Sequence, residues 1–159
     1  MRILIAICLS LSLVFSACQH KQKHLYVHSI IAKFRTDDSF KGIVESFKHS
    51  ESKGGKIILR SQNDQRTGLY FTVKFNNSLA LFKPGYQIKV TFITNLSTKE
   101  QSYTWTFPNV HHSLIFQNEL YLGLTHDPQF SSTTQLIAWR IEIFDQHNQL
   151  ISSKHSFAW

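Results

Sequence analysis

Between Thr67 and Phe75 the chain alternates: Leu69, Phe71, Val73 and Phe75 fall on one face, and Tyr70, Thr72 and Lys74 on the other. The same period of two returns in Tyr86–Thr94, where Tyr86, Ile88, Val90 and Phe92 oppose Gln87, Lys89 and Thr91. It appears again in Trp139–Phe144, where Trp139, Ile141 and Ile143 oppose Arg140 and Glu142. Successive side chains of a strand point to opposite faces, so each segment predicts a half-buried β-strand. Shorter runs at Lys56–Arg60, Ser102–Phe107, Leu120–Leu124 and Leu150–Trp159 add further candidates. Leu25–Phe34 is apolar on both faces, which predicts a strand covered on each side.

Turn residues separate these runs: Gly54-Gly55, Asn63-Asp64, Asn76-Asn77, Pro84-Gly85, Asn95 with Ser97, and Asp145 to Asn148. The last of these predicts a terminal hairpin. One stretch departs from the period of two. Phe40, Ile43, Val44 and Phe47 lie at i, i+3, i+4 and i+7 behind possible caps Asp37, Asp38 and Ser39, the pattern of a short amphipathic helix weakened by Gly42. About eight strands at this spacing predict an all-β fold: a single antiparallel β-sandwich, immunoglobulin-like, with one short helix. A small barrel is the alternative. The antibody spacing of Cys, Trp and Cys is absent. In the closing run, Ile151, Phe157 and Trp159 are expected to point inward and tie down the C-terminus.

Composition supports a folded chain: of 159 residues, 42% are hydrophobic, 13% aromatic and 17% charged. That excludes a disordered tail. The N-terminus is a separate unit. Arg2 precedes an apolar run from Ile3 to Phe15, followed by small Ser16 and Ala17 and the polar run Gln19 to His24. Thirteen residues are too few to span a bilayer, which takes about 20 in a helix. The run therefore reads as a secretory signal. Phe15-Ser16-Ala17-Cys18 resembles the lipobox of bacterial lipoproteins, with Phe15 where that family favours Leu. The resemblance implies cleavage before Cys18 and lipid attachment at Cys18, with a diacylglyceryl group and acyl chains of the palmitate type. It divides the chain into a signal peptide (1–17), a lipidated N-terminus and tether (18–24) and a sandwich domain (25–159). Gln19 is not the Asp that retains enteric-type lipoproteins in the inner membrane, so the resemblance implies an outer-membrane address in an organism with two membranes. A plain signal-peptidase cut after Ser16 is the alternative. Cys8 leaves with the signal, and a lone remaining cysteine fits modification.

Removing 1–17 takes away Arg2 and no acid, leaving 16 Lys and Arg against 10 Asp and Glu, a formal +6 with His neutral. Such a surface favours anionic partners, although no dense basic block appears and no nucleic-acid partner is expected. His20, His24 and His28 recur every four residues, a metal-ligand spacing on a helix. Two of them fall in the tether and one in a strand, so the spacing has no geometric meaning and no metal or other cofactor is assigned. His111 and His112, if extended, point to opposite faces. His126-Asp127-Pro128 offers an acid–base pair near Glu119 or Ser113, but is more simply a turn. There is no G-x-S-x-G, H-E-x-x-H, Walker loop, G-x-G-x-x-G or C-x-x-C, and no catalytic residue is assigned. Tyr103, Trp105 and Phe107 alternate, as a binding platform or, more simply, a core face. Asn76-Asn77-Ser78 and Asn95-Leu96-Ser97 match the glycosylation pattern by chance in turns. The expectation is a lipid-anchored envelope protein whose sandwich binds or scaffolds a protein or polymer. The alternatives are an envelope hydrolase acting on glycan or peptide, and a metal or small-ligand binder.

Overall fold

A computed structural model describes residues 25–40, 56–109 and 117–159. The expected signal peptide and tether, with Cys18 between them, lie outside the described residues. So do positions 41–47 of the expected helix; Asp37–Ser39, its expected cap, forms a 3-10 turn.

Eight strands follow one another: β1 (Val27–Arg35), β2 (Ile57–Arg60), β3 (Gly68–Phe75), β4 (Gln87–Thr94), β5 (Ser97–Thr106), β6 (Glu119–Thr125), β7 (Leu136–Phe144) and β8 (Leu150–His155). They form two four-stranded sheets, β1-β3-β6-β2 (sheet A) and β5-β4-β7-β8 (sheet B). The fold is an all-β sandwich. An immunoglobulin sandwich orders its strands A-B-E-D and C′-C-F-G. Lettering β1, β3 and β6 as A, B and E, and β5, β4, β7 and β8 as C′, C, F and G, reproduces that order. The place of D is taken by β2, which comes from between A and B in the chain.

The sandwich is antiparallel as expected except at one edge, where β2 pairs with β6 in parallel. The physical reason is the length of the connection. Residues 61–118 separate β2 from β6, far more than the crossover of roughly a dozen residues that parallel pairing needs. Only Ile57 to Arg60 pair in the ladder, and side chains extend it. Ser61 Oγ accepts from Thr125 N at 2.9 Å, while Thr125 Oγ1 accepts from Gln62 N at 3.0 Å and donates to Gln62 O at 3.0 Å.

The predicted alternation builds the core. Leu69, Phe71, Val73 and Phe75 of β3 meet Ile88, Val90 and Phe92 of β4 and Ile141 and Ile143 of β7, all at most 1% exposed. Phe71 and Phe92 touch across the sheets, with ring centroids 5.1 Å apart. Phe82 closes one end against Phe75 at 5.0 Å and Phe107 at 4.8 Å. Lys83-Pro84-Gly85-Tyr86 turns the chain into β4. Gly85 has φ 87° and Tyr86 N donates to Lys83 O at 3.2 Å, which is a type II turn that suits Pro followed by Gly. The terminal hairpin also forms as expected. Asp145 Oδ1 accepts from the amides of His147 and Gln149, both at 2.8 Å, and Asn148 takes φ 58°. Those amides hold the Asp145 carboxyl below its usual range.

Two expectations are corrected at the edges. β1 is an edge strand rather than a strand covered on both sides: among the described strands it pairs only with β3, and Ile31 is 65% exposed. In the closing segment Ser152 pairs with Ile143 and Lys154 with Ile141, so these polar residues share the inward register. Ile151 consequently points outward. β8 ends at His155, Phe157 is fully exposed, and Trp159 stacks on the Arg140 guanidinium at 4.7 Å instead of entering the core.

Sheet A carries a second, smaller apolar cluster on its outer face, made by Ile58, Tyr70 and Tyr121 with Phe40 against them. The Tyr70 ring lies over Gly123, where an added Cβ would fall 2.5 Å from Tyr70 Cε1. The ring cannot swing aside, since its hydroxyl donates to Arg66 O at 2.7 Å and accepts from Arg60 Nε at 3.0 Å. Gly123→Ala is therefore expected to lower unfolding free energy by about 1–3 kcal/mol through overpacking; an unchanged urea midpoint would show that the ring does not cross this glycine. At the C-terminus, Phe157→Ser should leave stability within about 0.5 kcal/mol. Trp159→Ala should cost about 0.5–1 kcal/mol through the lost cation–π contact. A larger loss for Phe157→Ser in the same urea titration would restore the inward arrangement.

Candidate functional site

At the end of the sandwich where β1 and β6 finish and β3 begins, a cleft of about 310 Å³ opens among Phe34, Gln65, Thr67, Gly68, His126, Asp127, Pro128 and Phe130. Three chain segments supply these residues: β1, the approach to β3, and the turn after β6. Phe34 is half-buried and packs against the core, and Phe130 is buried and touches Phe92 at 6.1 Å. Gln65, Thr67 and His126 supply polar groups. Thr67 is already engaged, its Oγ1 accepting from Asp37 N at 3.1 Å. His126 has φ 60°, a left-handed conformation that non-glycine residues adopt infrequently and that turns a side chain away from the strand direction. It follows Thr125, whose hydrogen bonds to Ser61 and Gln62 fix the end of β6, and its own amide donates to Thr67 O at 3.3 Å. The imidazole is thus carried on a rigid backbone at an exposed position.

Asp127 does not serve His126 as an acid–base partner. Its carboxylate accepts from Gln129 N at 3.2 Å, Gln129 Nε2 at 2.8 Å and the Tyr103 hydroxyl at 3.3 Å. Asp127-Pro128 is the turn expected from sequence. Burial, followed by the neighbouring Asp127 carboxylate, raises the Tyr103 pKa. Glu119 and His126 lie at opposite ends of β6 and its continuation, about 20 Å apart along a strand rising ~3.3 Å per residue. The pairing of His126 with Glu119 is therefore corrected. Glu119 instead accepts from the Tyr121 hydroxyl at 3.3 Å and pairs with Lys74 at 3.9 Å. Burial first, then Glu119, raises the Tyr121 pKa.

The remaining sequence candidates separate. His20, His24, His111, His112 and Ser113 lie outside the described residues, and His28 is exposed where β1 bulges. Among the described residues no group of three His, Cys, Asp or Glu side chains converges on one point. Tyr103, Trp105 and Phe107 face the core, with Trp105 and Phe107 buried and Tyr103 half-buried. The sequence marked His126 and Asp127 but missed Phe34, Gln65, Thr67 and Phe130, which only strand pairing brings to the same place. Chemically, an apolar floor beneath a histidine and an amide suits holding a small molecule with a polar end. The chain matches no protein-family model, no curated protein and no solved structure.

Tyr103→Phe tests the link between the core and the Asp127 turn. It is expected to lower stability by about 0.5–1 kcal/mol at neutral pH, toward the low end for a long hydrogen bond. A raised native pKa contributes stability below the ordinary value of 10.0 and loses it as pH rises through the native value. The difference between wild type and Tyr103→Phe should therefore close at alkaline pH in urea titrations. A difference independent of pH would show that the Tyr103 pKa is not raised in the folded protein.

Proposed function

We propose that this is a lipid-anchored lipoprotein of the bacterial cell envelope whose β-sandwich binds or scaffolds another envelope component. The carrying observation is Phe15-Ser16-Ala17-Cys18 directly behind an apolar run with a single leading Arg. In this reading residues 1–17 are removed, Cys18 carries the acyl chains, and the polar tether holds the sandwich close to the membrane, the outer membrane where there are two. Two long edges support a scaffolding role. β1, of nine residues, and β5, of ten, each pair on one side only among the described strands. Unpaired strand edges accept an added strand from a partner.

A second reading has its own observation. The cleft beside His126, floored by Phe34 and Phe130, favours small-ligand binding over hydrolysis, because the Asp127 carboxylate is committed to Tyr103 and Gln129.

The anchor is tested by the intact mass of the mature N-terminal peptide from the membrane fraction. The expected result is a diacylglyceryl-modified Cys18 that is lost, together with membrane retention, in Cys18→Ser. An unmodified N-terminus in the soluble fraction would remove the lipoprotein reading. Cross-linking in the native envelope should then recover a specific partner at β1 or β5; recovery of bulk envelope proteins alone would count against scaffolding.

A further inference from the structure

The two outer faces of the sandwich differ in charge. On sheet A, strand register places Lys33, Arg35, Arg60 and Lys74 outward, and Lys56 joins them over the Tyr121 ring at 5.5 Å. Glu119 is the one carboxylate those described strands turn to the same face. On sheet B, Lys89 and Arg140 flank Glu142, with Arg140 Nε 3.6 Å from its carboxylate.

The cations of sheet A are sorted by depth. Arg60 is buried, donating to Tyr70 and lying 5.5 Å from the Phe40 ring. Arg35 lies 5.6 Å from Phe40 and 5.7 Å from Tyr121. Toward β1 the face opens to solvent. Lys33 and Lys74 are exposed there, with Ile31 between them at 65% exposure; Tyr26, just before β1, is 54% exposed. Lys74 keeps a loose ion pair with Glu119 at 3.9 Å.

We propose that this β1 margin of sheet A seats on the anionic phospholipid headgroups of a membrane. Three features fit that occupant. The charge is complementary, and a lysine near an anionic bilayer is attracted individually. Ile31 and Tyr26 beside lysines make the apolar, aromatic and basic mixture that settles at a bilayer interface. Finally, β1 is the strand nearest the anchor. Residues 19–24 reach at most about 20 Å when extended, so a lipid on Cys18 would deliver the β1 margin to the surface before any other part of the sandwich. This third argument rests on the proposed anchor; the first two do not. Seated this way, the β1 margin faces the membrane and the β5 edge is left to a partner.

The test uses the full chain purified from membranes and mixed with vesicles of phosphatidylcholine alone or of phosphatidylcholine with phosphatidylglycerol. Flotation with pure phosphatidylcholine reads the anchor. Amine labelling of Lys33 and Lys74, with exposed Lys99 of β5 as the internal control, reads the docking. Labelling of Lys33 and Lys74 should fall roughly fivefold when phosphatidylglycerol is present and return in high salt, while Lys99 stays unchanged. Equal labelling in the two vesicle types, or equal loss at Lys99, would overturn the proposal. Flotation only with phosphatidylglycerol, with Lys33 and Lys74 protected, would support the docking and remove the anchor. Flotation with neither would remove both.

Discussion

Phe71 and Phe92 meet across the two sheets at 5.1 Å, and the rest of the molecule is arranged around that contact. Each ring sits in a strand that is paired on both sides: β3 lies between β1 and β6, and β4 between β5 and β7. A strand held on both edges cannot slip by one residue without turning its buried set to solvent. The inter-sheet contact therefore commits β3 and β4 to one register, and through them their neighbours. Tyr70, next to Phe71, must then face outward, and Tyr103, paired with Val90, must face in. The second apolar cluster and the Tyr103–Asp127 contact both follow from that commitment.

On the outer side of sheet A the consequence is unusual chemistry. A tyrosine facing outward from a central strand is fully buried, because Gly123 lets its ring cross the neighbouring strand and Arg60 and the Arg66 carbonyl hold its hydroxyl. The arginines lie against aromatic faces, which keeps weakly hydrated guanidinium groups in a partly apolar layer. Lysines, more strongly hydrated, sit at the margin. Parallel β2 makes this layer possible, since it brings Ile58 and Arg60 alongside β6 in the place that an antiparallel D strand would occupy.

At the end of the sandwich the chemistry is different. The turn after β6 is held by side-chain hydrogen bonds at Ser61, Gln62, Thr125, Asp127 and Gln129. His126 is left as the prominent polar group of the cleft. The same tight bonding that fixes its position also occupies the nearest carboxylate, so the geometry suits binding better than proton transfer. The cationic margin at β1 and the cleft draw on different sides of the strand: Lys33 points out, whereas Phe34 beside it points toward the core and lines the cleft.

The sequence by itself determined the local parts: which segments are strands, which residues of β3 and β4 enter the core, the Pro84-Gly85 turn and the terminal hairpin. It did so because a period of two and the backbone preferences of turn residues act over a few neighbours. Tertiary structure decided everything that depends on who lies next to whom. It made β1 an edge, so its second apolar face was left open at Ile31. It set β2 parallel to β6, a pairing settled by a distant strand. It reversed the closing segment, because the β7–β8 register put Ser152 and Lys154 where the hydrophobicity of Ile151 and Phe157 argued for an inward set. It separated Glu119 from His126 along β6, and joined His126 to Phe34, Gln65 and Phe130 from remote parts of the chain. Strand pairing is made by backbone groups that every residue carries, so side-chain pattern fixes the face of a strand but leaves its neighbour to the whole fold.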